Sequence, residues 1–265
     1  MSALVDSSQN SLKNTLNAIW CNYRNTGTAV RMFLYPEDAS LKRPTGIYQR
    51  IRYQYELMTP IQNPWDEDYQ RRGRLWGGSA SFIPRIFPLS RILELGCGNG
   101  KNVSSLIHAG CSVTAIDSSS HAATLCRNTC TDPDHAMIVI ADGRATPFRD
   151  ESFDVVIASH ITGHLSISGR SHLAGEVVRL IRSGGTMYFR DFSTADFRYG
   201  RGRETEPDTF TRKNGIATHY FTDNEVMDIF SGLTAISLVQ HRWEMRVRGT
   251  VFPRAEIVAE FIKPA

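Results

Sequence analysis

No stretch of this 265-residue chain approaches the roughly 18 consecutive apolar residues of a membrane span. Its first twenty residues, MSALVDSSQNSLKNTLNAIW, lack a basic segment followed by an apolar core, so no secretory leader is read there and a cytoplasmic protein is expected. Charge of one sign is scarce too: the formal excess is only +3, with no continuous Lys/Arg tail of the kind that grips nucleic acid by itself. The five cysteines, Cys21, Cys97, Cys111, Cys126 and Cys130, are odd in number and scattered, which excludes a disulfide framework. Cys126 and Cys130 lie near His121 and His135, yet no CxxC pair or zinc-type His spacing goes with them. Buried reduced thiols on a helix are the expected state, and no metal is expected.

The chain does hold regular alternation, beginning abruptly near residue 89. Before it, residues 1–88 carry Pro36, Pro44, Pro60, Pro64, Pro84 and Pro88, punctuation that predicts short helices and loops, the composition of an N-terminal cap or lid. Residues 89–265 then read as one catalytic domain. RILELGC predicts a strand, KNVSSLIHAG a helix ending on Gly110, and CSVTAID a second strand. HAATLCRNTC predicts a helix, MIVIAD and SFDVVIASH two more strands, and SHLAGEVVRLIRSGG a helix stopped by its glycines. TMYFRDF follows as a fifth strand. After an Arg-rich insertion come a helix at NEVMDIFSGL and two closing strands, the second over Val251 to Lys263, which would pair as a hairpin at the sheet edge. Strand and helix alternating through short loops predict an α/β sandwich, a mostly parallel seven-stranded sheet covered on both faces.

The turn after the first of these strands, LELGCGNG from Leu93 to Gly100, gives up side chains at every second position. Glycine tolerates positive φ and lets a ligand lie against bare backbone. The dinucleotide pattern G-x-G-x-x-G fails, because Lys101 occupies the third glycine's place; the phosphate loop G-x-x-x-x-G-K-[ST] fails because Asn102 follows Lys101. What remains is an acid, one residue, G-x-G-x-G, and an acid ending the next strand. This resembles the first motif of class I S-adenosylmethionine (SAM) methyltransferases, and the resemblance implies their Rossmann-like three-layer fold and SAM as cofactor. Carried over, Glu94, Gly96, Gly98 and Gly100 would take the amino-acid end of SAM, Asp117 would hold the ribose hydroxyls, and Asp142 with the Gly143 amide would meet the adenine. Ser118, Ser159 and Trp76 complete the cofactor-side candidates. A carboxylate on a diol is a bidentate, charge-assisted contact, which suits Asp117 to this role physically.

The C-terminal third is more particular. Arg190 and Asp191 end the fifth strand; Phe210, Arg212, Asn214, Gly215, Tyr220 and Phe221 follow, and Phe261, Lys263 and Pro264 form the tail. Together with Trp65, Tyr69 and Trp76 this pattern resembles the METTL-type tRNA 3-methylcytidine methyltransferases over roughly residues 65 to 265. That family's Phe-Phe-Lys-Asp-Arg run is absent, replaced by Arg71, Arg72 and Arg74. The resemblance implies tRNA as partner and N3 of cytidine as acceptor, with Asp191 as the catalytic group that steadies the developing cation. Arg190, Arg201, Arg212 and Tyr220 are the substrate-side candidates, the arginines for phosphate and Tyr220, Tyr199 or Trp76 as stacking faces for a flipped base. His160 and His164, four apart after the fourth strand, are read as pocket-wall residues, His160 the one nearer to ligand. The modest net charge leaves a small-molecule or protein acceptor open, and a non-catalytic SAM-fold partner protein is the third reading.

Overall fold

The computed structural model describes residues 31–33, 64–75, 86, 88–130 and 132–265. Trp76, Cys21 and most of the expected cap lie outside them. Seven strands form the expected sheet: β2 (Arg91–Leu95), β3 (Ser112–Asp117), β4 (Ala136–Ile140), β5 (Phe153–Ser159), β6 (Ile181–Phe192), β10 (Thr234–Val247) and β11 (Thr250–Ile262). Their order is β4-β3-β2-β5-β6-β11-β10, with β1 (Arg31–Phe33) added at the β4 edge. The pairs among β4, β3, β2, β5 and β6 are parallel, and β11 runs antiparallel to both β6 and β10. The closing strands join through a two-residue turn in which Arg248 and Gly249 both have positive φ, the twist-compatible hairpin turn.

Both faces of the central parallel strands are dry, which is why those strands read as near-continuous apolar runs, whereas the edge strand β10 is largely exposed. On one face Leu93, Leu95, Val156, Met187, Phe189 and Ile257 pack on Leu173 and Val177 of α4 (Ile167–Leu180) and Phe230 beyond α5 (Asp223–Ile229). On the other, Ile92, Val113, Val155 and Ile157 meet Val103 and Leu106 of α2 (Lys101–His108) and Ala123 and Cys126 of α3 (Ser120–Thr129). The helices start where a side chain can satisfy an open amide: Ser119, Ser166 and Thr222 accept from the backbone N–H of Ala122, Gly169 and Glu225.

One expectation changes. The helix before β6 stops at Leu180, four residues ahead of its glycines; Gly184 at φ 71° instead turns a bulge inside β6. The Arg-rich insertion is a small antiparallel sheet of β7 (Arg203–Glu206), β8 (Thr209–Thr211) and β9 (Ala217–His219). Within residues 1–88 the described parts are the edge strand β1, one helix, α1 (Pro64–Arg72), and short flanking stretches. Cys97, Cys111 and Cys126 are buried free thiols, Cys126 on α3 and Cys130 at its C-cap, while Cys97 and Cys111 lie in loops.

Candidate functional site

In an open α/β sheet ligands collect beyond the carboxyl ends of the strands, and here that edge is formed by β4, β3, β2, β5, β6 and the start of β11. The turn after β2 needs glycine at all three positions. Gly96, Gly98 and Gly100 have φ of 68°, 53° and 79°. A methyl group on Gly98 would lie 2.5 Å from the Tyr69 hydroxyl, and one on Gly100 would lie 3.0 Å from the Cα and Sγ of Cys126.

Two acids frame this turn. Asp117 Oδ2 accepts the Gly98 N–H at 2.9 Å and Oδ1 the Ser119 N–H at 2.8 Å, and the Ser118 amide bonds the carboxylate as well, so the carboxyl is fixed in orientation. Burial pushes its pKa up to about 6 against these hydrogen bonds. Glu94 is 2% exposed; Oε1 accepts from Asn102 Nδ2 at 2.8 Å, while Oε2 is buried with no hydrogen-bond partner. Burial raises its pKa to about 8, only partly offset by Asn102. An unpaired buried carboxyl oxygen beside a glycine cradle matches an ammonium group, and the fixed Asp117 matches a vicinal diol: the residues present fit SAM.

Asp142, after β4, is turned elsewhere. Its carboxyl takes Arg144 Nη2 at 2.6 Å and Nε at 2.9 Å, and although burial opposes it, this guanidinium holds the carboxyl below the usual range. Any contact of Asp142 with an adenine would thus be made by a carboxylate already clamped by Arg144. Gly143 is buried against Leu173, whose Cδ1 would lie 3.0 Å from an added methyl. Ser118 is exposed and Ser159 half-buried at the ends of β3 and β5.

Helix α1 covers the turn. Its Asp66 accepts from Ser119 Oγ at 2.7 Å, the His121 N–H at 3.1 Å and His121 Nδ1 at 2.9 Å, binding α1 to the first turn of α3. Those bonds lower the Asp66 pKa although burial acts the other way. Tyr69 is buried over Gly98, and Trp65 meets the His164 ring edge-on at 4.6 Å, so α1 spans from the glycine turn to the end of β5. Asp66 escaped the sequence reading. The available signal was α3 itself, whose first turn holds no acid of its own to meet its dipole.

At the far end, Asp191 is 1% exposed. Oδ2 accepts the Gly163 N–H at 2.8 Å, Oδ1 the Phe192 N–H at 3.0 Å, and His160 Nδ1 stands 3.6 Å from Oδ1. Burial works against ionisation, but His160, His164 and the Gly163 amide together hold its pKa below the usual range. His160 has φ 54° and its ring lies on Phe192 with centroids 4.4 Å apart. His164 donates its Nδ1–H to the Ala217 carbonyl at 2.7 Å, and burial lowers its pKa.

The substrate-side candidates separate. Arg201 and Arg212 are exposed, Arg201 with its guanidinium 4.9 Å from the Phe197 ring. Arg190 is instead turned onto Glu256, Nη2 to Oε1 at 2.6 Å, and is corrected to an interior ion pair. Tyr220 is 1% exposed, walled by Tyr199 and Phe210 at 5.8 and 6.1 Å, so it offers no open face to a base; Tyr199, 40% exposed, does. Arg198 is likewise withdrawn, bonded to Asp196 at 2.8 Å and lying 3.7 Å over Phe192.

A family model described as a methyltransferase domain matches residues 93–189. The tRNA N(3)-cytidine methyltransferase METTL2 of Gallus gallus is 28% identical over 71% of this chain and 53% of its own length. That of Danio rerio is 29% identical over 58% of this chain and 45% of its own. The chain thus spans about half the length of these curated relatives. A phthiotriol/phenolphthiotriol dimycocerosates methyltransferase of Mycobacterium ulcerans is 36% identical over 56% of this chain and 62% of its own. Among solved structures, a SAM-dependent methyltransferase from Methanosarcina mazei superposes with a TM-score of 0.60 at 21% identity, covering 70% of this chain and all of that one. The fold is that of class I SAM-dependent methyltransferases, and the sequence resembles METTL2.

Proposed function

We propose that this chain, which has the class I methyltransferase fold, transfers the methyl group of SAM to a ring nitrogen of a nucleobase, with N3 of a tRNA cytidine as the acceptor. The observation that carries the reading is the pairing of the glycine turn with two differently prepared acids, Asp117 fixed by backbone amides and Glu94 holding an unpaired oxygen. The METTL2 relatives support the choice of acceptor.

When bound, SAM supplies an electrophilic methyl on a sulfonium. Asp117, its carboxylate oriented by backbone amides, would hold the ribose hydroxyls, and Glu94 would meet the ammonium. Tyr69 and α1 exclude water from the turn, which strengthens each of these contacts. Cytosine N3 carries its own lone pair, so no general base is required and the protein's task is alignment. Asp191, with both oxygens committed to backbone amides, keeps Gly163 and His160 in place at the acceptor end.

The test is incubation with tritiated SAM and bulk tRNA, followed by nucleoside mass spectrometry; label in 3-methylcytidine is expected. A small-molecule acceptor is the second reading, favoured by the 36% identity to the Mycobacterium ulcerans enzyme. Label confined to the small-molecule fraction of an extract would establish it instead.

A further inference from the structure

We propose that Glu256 is the residue that recognises the methyl acceptor, taking an N–H of it on Oε2, and that His160 is a movable ring covering this oxygen until the acceptor arrives. The inference rests on the methyl-transfer reading and adds the chemistry of the acceptor: a ring nitrogen with an N–H donor beside it, as on an aminopyrimidine edge.

Glu256 faces Phe192 across the β11–β6 pair, at the carboxyl end of β6 and beside His160 just past β5. It is 1% exposed. Oε1 is filled by Arg190 Nη2 at 2.6 Å and His241 Nδ1 at 2.9 Å. Oε2 is buried with no hydrogen bond, and His160 Nε2 lies 3.6 Å from it, too far to serve as one. His160 matches this incomplete fit: Nδ1 is also unbonded, its side chain is about a third exposed, and its backbone holds a strained positive φ. Buried polar atoms left open in this way call for a ligand. Asp191 is the contrasting acid, for each of its oxygens already holds a backbone amide, whereas Oε2 of Glu256 holds nothing.

In the reaction the ring nitrogen's lone pair forms the N–CH3 bond while the S–CH3 pair leaves with sulfur, so the positive charge passes to the base and spreads onto its amine. The N–H contact to Glu256 becomes charge-assisted as this happens, and therefore stronger in the transition state than before it.

Glu256→Gln isolates the point, because the amide oxygen can keep Arg190 and His241 while its NH2 replaces the open oxygen. With tRNA that the parent methylates, kcat/KM is expected to fall about 30- to 100-fold with SAM affinity unchanged, measured well below the variant's melting temperature, which should drop because the amide no longer balances the buried Arg190 charge. A tRNA carrying uridine at the methylated position, which presents a carbonyl in place of the amine, should inhibit the variant better than the parent, a reversal that a structural role would not produce. Unchanged kcat/KM in the folded variant overturns the proposal. Should Glu256→Gln fail to fold, His160→Ala uncovers the same oxygen and should lower acceptor KM about 3- to 10-fold; an unchanged or raised KM overturns it. Absence of label in tRNA overturns the tRNA reading alone. The variants are then read on the fraction the parent does label, where an acceptor atom with no neighbouring N–H would overturn the role of Glu256. No label in any fraction overturns both.

Discussion

Glu94→Gln should make the ligand-free protein more stable at high pH while weakening its hold on SAM. Burial raises the Glu94 carboxyl from its ordinary 4.5 to about 8. Between those values the folded protein carries a proton that the unfolded chain has lost, so folding takes up a proton and stability falls as pH rises through the window. Below about 4.5 both states are protonated and the site costs nothing; above about 8 the full penalty of a buried charge is present. At about 1.4 kcal/mol per pH unit the window bears roughly 4 to 5 kcal/mol, an upper figure because side chains and water relax around the charge. Gln keeps an oxygen for Asn102 Nδ2 and cannot ionise.

Urea unfolding at pH 5 and pH 9 measures the difference. The parent should lose several kcal/mol more than the variant between the two pH values. Calorimetry of SAM binding in buffers of differing ionisation enthalpy supplies the functional half: at pH 7 the parent should release close to one proton more than Glu94→Gln, because an ammonium at Oε2 favours the ionised form. Equal pH slopes would refute the buried, protonated state of Glu94. Equal proton release with unequal slopes would remove the ammonium from its side.

Asp117→Asn places an NH2 against either the Gly98 or the Ser119 N–H and should cost about ten- to hundredfold in SAM affinity by calorimetry; the rise of parent affinity through about pH 6, as this acid ionises, should vanish with it. Gly98→Ala should abolish measurable SAM binding, and adding Tyr69→Phe should restore part of it, since the next ring atom is 3.6 Å from the new methyl; what remains is the positive-φ strain of about 1 to 2 kcal/mol. Neutralising the exposed Arg201, Arg203 and Arg212 together should flatten the salt dependence of tRNA binding by filter retention and leave SAM affinity alone.

The sheet was legible because its signals are local: largely apolar runs of five to seven residues, of which the first three close on a glycine turn or an acid. Asp117 was singled out by the resemblance, as the acid ending the strand after the glycine turn, and the fold does set it against that turn through the Gly98 amide. The insertion at 203–219 was not legible. Its strands are three or four residues long, mostly polar, and shaped by positive φ at Gly202, Asp208 and Gly215, which leaves no alternation to read. The end of the helix before β6 was misplaced for a related reason, since Gly184 and Gly185 mimic a helix stop while forming a bulge.

The two acids at the acceptor end show where single-sequence reasoning fails. Asp191 ends a strand and so reads as open to ligand, yet an amide from the turn at Gly163 closes over it, and no spacing in the chain announces that turn. Glu256 sits inside a strand buried on both faces, between Ala255 and Ile257, where an acid reads as a solvent-facing residue. Its setting is built from His160, Arg190 and His241, contributed by the end of β5 and by β6 and β10, and the antiparallel registers of β11 against β6 and against β10 bring them to one carboxyl. Hydrogen-bond accounting then reverses the order in which sequence would rank the two acids. The acid with both oxygens bonded to backbone already has its partners, and the acid with one oxygen unbonded is the one that a ligand's donor would complete.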